Sequence, residues 1–255
     1  MSWAASLQLH AFRSFPDVEP GDDLVAHLVG CIRADQIEIR PDDIFVLAQK
    51  IVSKAEGRYV NIADVVASDR AVEIARATGK DPRHVEVVLS ESTDIVRTSE
   101  HLLIVEHRLG LVMANAGVDQ SNVDHADGEK FLLLPSNPDL SARSLKEGLE
   151  AQLDMRLGVV INDSFGRPWR NGIVGVAIGA AGVQSLESRI GQHDMFGRPL
   201  RITEIAIADE IASAASLLMG QAGERRPVVL VRGLGHTGDS PASALIRDRK
   251  RDLFR

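Results

Sequence analysis

Residues 158–179 read GVVINDSFGRPWRNGIVGVAIG. The run from Gly158 to Ile161 is apolar at successive positions, the pattern of a buried strand. It stops at Asn162-Asp163-Ser164, and a second apolar run follows from Ile173 to Ile178. Gly166, Arg167, Pro168, Trp169, Arg170 and Gly172 lie between them. The spacing predicts two buried strands joined by a loop over residues 162–172. A surface turn needs glycine and proline. It does not need Asp163, Ser164, Arg167 and Arg170 together, and this combination is equipped to hold an anion and a metal.

Outward from this stretch, strands and helices are interspersed without strict alternation, which favours an α+β fold over a doubly wound sheet. Leu7–Phe12 reads as a strand. Asp22-Asp23 sits where a helix cap belongs, ahead of Leu24, Leu28 and Ile32 at helical spacing. Ile44–Leu47 is a compact apolar strand behind the turn Pro41-Asp42-Asp43. Ser68 caps a helix that ends at Gly79, and Asp81-Pro82 starts another, with proline in the favoured first turn. Strands are expected at 102–105 and 111–114, a polar loop over 115–130, and helices at 139–156 and 205–219. Pro227 opens the buried strand VVLVRG, and the charged tail Arg247–Arg255 reads as a solvated helix end.

The chain of 255 residues is long enough for one domain, or for two intimately joined subdomains within residues 1–255. Aromatic residues make up only 4%, which argues against base stacking along a nucleic-acid strand, and the formal charge of −7 argues against broad polyanion binding. A small anionic ligand would need a local basic pocket. The single cysteine, Cys31, sits on an apolar helical face and reads as core. No secretory leader or membrane-length apolar run is evident, so a cytoplasmic location without membrane contact is expected.

Three further segments carry chemistry. Gln49-Lys50-Ile51-Val52-Ser53-Lys54-Ala55-Glu56-Gly57-Arg58 follows a buried strand, and its cations suit phosphate contacts. It is not a Walker loop, because GxxxxGK[ST] occurs nowhere in the chain. A solvated strand end would show the same residues. Met113–Asn122 offers close backbone approach at Gly117, a hard oxygen ligand in Asp119, and polar groups at Ser121 and Asn122; an Asx-rich turn has the same letters. If the strands before Asp119 and Asp163 are neighbours, the two carboxylates converge. With the Ser164 hydroxyl and phosphate oxygens they make a Mg²⁺ or Mn²⁺ site. Ala208-Asp209-Glu210-Ile211-Ala212 belongs to a tightly packed helix on which Asp209 and Glu210 read as surface charges. Met219 reads as core, and Gly220-Gln221-Ala222-Gly223 ends the helix where it can wrap a nucleotide. The eight histidines form no metal spacing; His125 and His236, which lie in polar loops, are the two that stay candidates.

VSKAEGR, NAGVDQSN, INDSFGRPWRNGIVGVAIG and ADEIAS…LLMGQ, in this order, resemble the coenzyme F420-0:L-glutamate ligase (F420 gamma-glutamyl ligase, CofE-like) family. The similarity runs from Phe15-Pro16 to Val231-Arg232-Gly233. It implies a fold particular to that family, with mixed or antiparallel sheets, packed helices and an intertwined homodimer. It also implies GTP-dependent addition of L-glutamate to the deazaflavin coenzyme F420-0 through γ-glutamyl amide bonds and an acyl phosphate, with Mg²⁺ or Mn²⁺ and stimulation by K⁺. Position by position it assigns Asp119, Asp163, Ser164 and Gln221 to metal. Phe15, Pro16, Asp17, Val18, Gln49, Lys50, Lys54 and Asn122 match nucleotide contacts; beside this carry-over, Met219, Gly220, Gln221, Ala222 and Gly223 are candidate nucleotide residues from their place at the helix end, and Asp163, Arg167 and Arg170 are the candidate catalytic residues. Gln49-Lys50 departs from a pair that is hydroxylic in some members, which bears on nucleotide choice. The same residues would also serve a γ-glutamyl ligase for a folate- or pterin-like acceptor, or a non-catalytic nucleotide-binding domain.

Overall fold

The computed structural model describes residues 6–121, 128–235 and 238–253. In chain order its strands are β1 (Gln8–Ala11), β2 (Ile44–Ala48), β3 (Tyr59–Asn61), β4 (Ser92–Ser99), β5 (Leu102–His107), β6 (Val112–Ala114), β7 (Lys130–Leu132), β8 (Gly158–Arg167), β9 (Arg170–Ala181), β10 (Leu186–Ser188), β11 (Glu204–Ala206) and β12 (Val228–Arg232). Its α-helices are α1 (Leu24–Ala34), α2 (Gln49–Ala55), α3 (Asp69–Thr78), α4 (Pro82–Ser90), α5 (Pro138–Leu153) and α6 (Ile207–Met219).

The apolar runs become neighbours in a five-stranded sheet ordered β1-β12-β2-β8-β9, whose only parallel pair is β2 with β8. Side chains alternate across it. Phe45, Leu47, Val159, Ile161, Val228 and Leu230 face one core, while Ile44, Val46, Val160, Val229 and Val231 face another. Helices cover both faces, which is why these strands are continuously apolar rather than alternating. On the first face Leu24, Leu28 and Cys31 of α1 meet Ala142, Leu145 and Leu149 of α5. On the second lies α6, through Ile207, Ile211, Ala215 and Met219. Its approach is close: a Cβ at Gly175 of β9 would overlap the Ala212 carbonyl and the Ser216 hydroxyl. A third core joins α3 and α4 to β5 and β7 through Val85, Val88, Leu103, Val105 and Phe131. There β4-β5-β6 form an antiparallel sheet, and β3-β7 and β10-β11 are two-stranded. The α+β class and the mixed and antiparallel sheets agree with the sequence.

The caps fall where the sequence puts them. Asp23 accepts hydrogen bonds from the Val25 and Ala26 N–H groups, Ser68 caps α3, and Asp81 caps α4. Gly79 closes α3 in the left-handed region. Other expectations need correction. Residues 162–172 are not a loop: β8 continues to Arg167 and β9 begins at Arg170, leaving a two-residue turn at Pro168-Trp169. The polar letters suggest a turn, but they lie on paired strands whose side chains line clefts. The segment from Gln49 is a helix rather than a bare strand end. Asp209 is no mere surface charge, since its Oδ1 accepts the Ala177 N–H at 2.9 Å and burial raises its carboxyl. The tail holds a 3₁₀ turn at Arg249–Arg251 rather than an α-helix end. Asn122, His125 and His236 lie outside the described residues. No helix among the described residues is long and apolar enough to cross a membrane.

Candidate active site

The C-terminal half of β8 leaves the core and runs along a cleft of about 590 Å³. A ladder irregularity between Ile161 and Asn162, where Asn162 pairs with Ala177 and Ile178 is passed over, marks that exit. Such bulges re-aim side chains beside functional sites. Five segments meet at the cleft. The Phe15–Val18 loop forms one wall, with Phe15 and Val18 also packed into the core. The start of α2 supplies Gln49 and Lys50, and its last turn supplies Lys54. Asp119 and Ser121 come from the turn after β6, Asn162, Asp163 and Ser164 from β8, and Met219–Gly223 from the end of α6.

At the centre, Lys50 Nζ is 2.8 Å from Asp119 Oδ2. The same ammonium donates to the Ser121 carbonyl at 3.0 Å and to Ser121 Oγ at 2.5 Å. Asp119 Oδ1 accepts the Ser121 N–H at 2.7 Å. Burial would raise the Asp119 carboxyl, but the Lys50 and Ser121 contacts overcome it and hold the group below the usual carboxylate range. Asp163 keeps part of its surface open to the cleft. Burial nevertheless pushes its carboxyl up to about 7; the Ser164 backbone N–H opposes this, the Asp119 charge adds to it, and the Lys50 charge opposes it. Asp119 and Asp163 line the same two clefts, so the carboxylates converge, but not by the route expected from the sequence: β6 and β8 are not paired neighbours and belong to different sheets.

Ser164 Oγ donates to Gln221 Oε1 at 2.8 Å, bringing two further oxygens to the same place. The donor set is two carboxylates, a hydroxyl and an amide oxygen, all hard ligands of the kind Mg²⁺ and Mn²⁺ take. Among the described residues no group of three or more His, Cys, Asp or Glu is placed to hold an ion. With only two charged ligands, the set fits an ion that draws its remaining ligands from bound substrate and water, the usual arrangement for Mg²⁺.

The other expected residues are distributed as follows. Gln49 lines the cleft but is 3% exposed, and its Oε1 accepts the Ser53 hydroxyl at 2.8 Å. Asp17 pairs with Arg225 at 2.7 Å across the cleft rim. Met219 is core, as expected, and its Sδ accepts Asn162 Nδ2 at 3.3 Å. Arg167 and Arg170 pair at the exposed hairpin tip, outside the lining of the first cleft. Arg167, with Trp169, instead lines a second cleft of about 1580 Å³, which meets the first at Asp119, Asp163 and Ser164. Cleft residues that escape the sequence argument include Asn162, Ile173, Arg225 and Arg226. The arginines had a signal, two cations between the Gly220–Gly223 loop and a buried strand. Asn162 had one too, as the first polar residue after an apolar run.

The family model described as F420-0:Gamma-glutamyl ligase matches residues 14–233. The chain belongs to that family. A relative from Methanopyrus kandleri, named coenzyme F420:L-glutamate ligase, is 46% identical over 243 residues, covering 93% of each chain. Relatives of the same name from Methanothermobacter thermautotrophicus and Methanocaldococcus jannaschii are 42% and 44% identical. They cover 98% and 86% of this chain and 99% and 87% of their own length. The matched region of this F420-0:gamma-glutamyl ligase family member contains every cleft segment, from Phe15 to Pro227.

Proposed function

We propose that this chain is a cytoplasmic, GTP-dependent ligase that joins the amine of L-glutamate to a carboxylate of coenzyme F420-0 and then builds γ-glutamyl bonds. The observation that carries this reading is the junction of two clefts at Asp119, Asp163 and Ser164. A ligase must bring a phosphoryl donor and a carboxylate acceptor to one point, and two clefts sharing one set of oxygen ligands suit that task. The names of the relatives supply the acceptor class.

A carboxylate is a poor acylating agent until activated. Attack of a carboxylate oxygen on the γ-phosphorus of GTP breaks the bond to the β-phosphate bridging oxygen and gives an acyl phosphate and GDP. The glutamate amine then attacks the acyl carbon, loses a proton, and expels phosphate. Both steps rest on alignment and charge neutralisation. Asp119, Asp163, Ser164 and Gln221 would hold the divalent cation, Mg²⁺ or Mn²⁺, which when bound supplies charge neutralisation on the phosphates. Lys54 and Arg226 line the nucleotide cleft as candidate phosphate partners, while Arg167 in the second cleft suits an acidic acceptor. K⁺ stimulation and a homodimer complete the proposal.

The test is to incubate purified protein with F420-0, L-glutamate, GTP and Mn²⁺ and to read masses. Addition of glutamyl residues with release of GDP and phosphate is expected. Products of GMP and pyrophosphate would replace the acyl phosphate by a nucleotidyl intermediate, and an unchanged acceptor alongside a modified folate or pterin would change the substrate.

A further inference from the structure

We propose that the Asp17 carboxylate is the group that reads the nucleotide base, selecting guanine by its N1–H and 2-amino donors. The inference rests on the proposed nucleotide reading of the first cleft and concerns the end of that cleft remote from the metal ligands. The cleft runs across the ends of four adjacent strands, in the order β8, β2, β12 and β1. These ends stand in one row. Asn162 pairs with Ala48, the Ala48 N–H donates to the Pro227 carbonyl at 2.8 Å, and the Phe12 N–H donates to the Val228 carbonyl at 3.0 Å. Asp163 and Ser164 leave the row at its β8 end. The Phe15–Val18 loop leaves it at the β1 end, three strand spacings of about 4.8 Å away. Asp163 and Ser164 also line the second cleft, whereas Asp17 and Arg225 line the first alone. The reacting phosphate belongs at the shared end, so an extended nucleotide carries its base toward Asp17.

The chemistry at that end suits guanine. Among the described carboxylates that line the first cleft, Asp119 and Asp163 stand at the shared end and Asp17 at the other. Arg225 Nη2 donates to both Asp17 oxygens, at 2.7 Å each, so the two oxygens already face a donor together. The side chains are 82% exposed at Asp17 and 70% at Arg225, so the pair is weak and exchanging it costs little. Guanine carries N1–H and the 2-amino group side by side, two donors that match two carboxylate oxygens as an arginine fork does. Its O6 and N7 accept from the guanidinium so released, the commonest pairing of arginine with guanine. Adenine lacks the 2-amino group and presents a lone pair at N1, which sets an acceptor against the carboxylate. A site built on such hydrogen bonds rejects an analogue that lacks the donors.

The test is base selectivity. GDP, IDP, XDP and ADP are titrated by calorimetry into the full-length protein at saturating Mn²⁺. Hypoxanthine keeps N1–H without the 2-amino group, and xanthine carries an oxygen in its place. Wild type is expected to bind GDP about tenfold or more tightly than XDP and ADP, with IDP between them. Asp17→Asn keeps the shape and turns one acceptor into a donor. It is expected to lose about tenfold on GDP and to gain about tenfold on XDP. Asp17→Ala removes both acceptors and is expected to bring GDP, IDP and XDP to similar affinities. Wild type that does not discriminate among the four overturns the inference and leaves the nucleotide reading intact. So does the wild-type order in Asp17→Asn, or in Asp17→Ala if the first variant does not fold. Wild type that binds none of the four overturns both.

Discussion

Ser164 Oγ donates a 2.8 Å hydrogen bond to Gln221 Oε1, joining the polar end of β8 to the loop after α6. The contact links two segments 57 residues apart and places an amide where a carboxylate would add charge to the Asp119–Asp163 pair. Gln221→Glu is therefore expected to raise Mn²⁺ affinity of the nucleotide-free protein by roughly tenfold, the scale of one partly exposed charge-assisted contact. Paramagnetic resonance titration measures it, and an unchanged affinity would remove residue 221 from the metal site.

Asp163→Asn is expected to abolish ligation and keep the fold. The carboxylate sits where burial disfavours its charge, so an amide of the same shape removes a desolvation cost rather than a structural tie. Thermal unfolding should stay at or above the wild-type midpoint while product formation disappears. Near-wild-type turnover at saturating Mn²⁺ would sink the metal assignment.

Lys54 is expected to matter more than Lys50 for nucleotide affinity. Lys54 lines the cleft, whereas the Lys50 donors are committed to Asp119 and Ser121. Loss of an ammonium–phosphate contact costs about 1.5–3 kcal/mol, or roughly tenfold to hundredfold in GTP affinity. Calorimetric titration of Lys54→Ala and Lys50→Ala with GTP decides. Equal, small losses would remove both lysines from the proposed nucleotide contacts.

Glu91 gathers the cations of Arg58 and Arg108 around one largely buried carboxylate. Its carboxylate receives Arg58 Nη2 and Arg108 Nε, each at 3.0 Å, and lies 3.4 Å from His107 Nε2. Burial would raise its pKa; His107, Arg58 and Arg108 together overcome that and hold it at about 2. The folded value lies below the ordinary 4.5, so the stabilisation is complete above that pH and is lost as pH falls toward 2. Glu91→Gln should cost about 1.5–3 kcal/mol at neutral pH, because it removes the charge that two partly exposed guanidiniums share. Denaturant melts from pH 7 down to pH 2 should show the two proteins converging at the acid end. A constant gap would assign the loss to packing instead.

The central sheet was legible because helices cover both of its faces, and double burial writes strands as unbroken apolar runs. Helix starts were legible because Asp23, Ser68 and Asp81 are chemical caps. β4 was not, since Ser92–Ser99 is polar and mostly exposed, carrying neither period. The 162–172 stretch misled because glycine, proline and charge are turn letters, while only Pro168-Trp169 turns and the rest continues the β8–β9 hairpin ladder. In the site, the segments were legible one by one. The Lys50–Asp119 ion pair was not, because it joins residues far apart in the chain that meet only through the packing of α2 beside the turn after β6.

The dimer is tested by the arm between β10 and β11. Residues 189–203 leave the body as an ordered hairpin-like excursion, held by Arg189 N to Thr203 O at 2.8 Å and Leu200 N to Gln192 O at 2.7 Å. Asp194 fixes its tip by accepting from the Phe196 and Arg198 N–H groups. That tip presents Met195, 90% exposed, and Phe196, 82% exposed, with Ile202 also outside. Single exposed apolar residues are ordinary, but several on one ordered projection mark a surface meant to be covered. A second copy of the chain is the expected cover. Light scattering of dilute wild type should give twice the chain mass, and Met195→Ser with Phe196→Asp should give the monomer with the same circular dichroism. A dimeric double variant would move the interface elsewhere. A monomeric wild type would end the dimer proposal, and the apolar tip would then need a different partner.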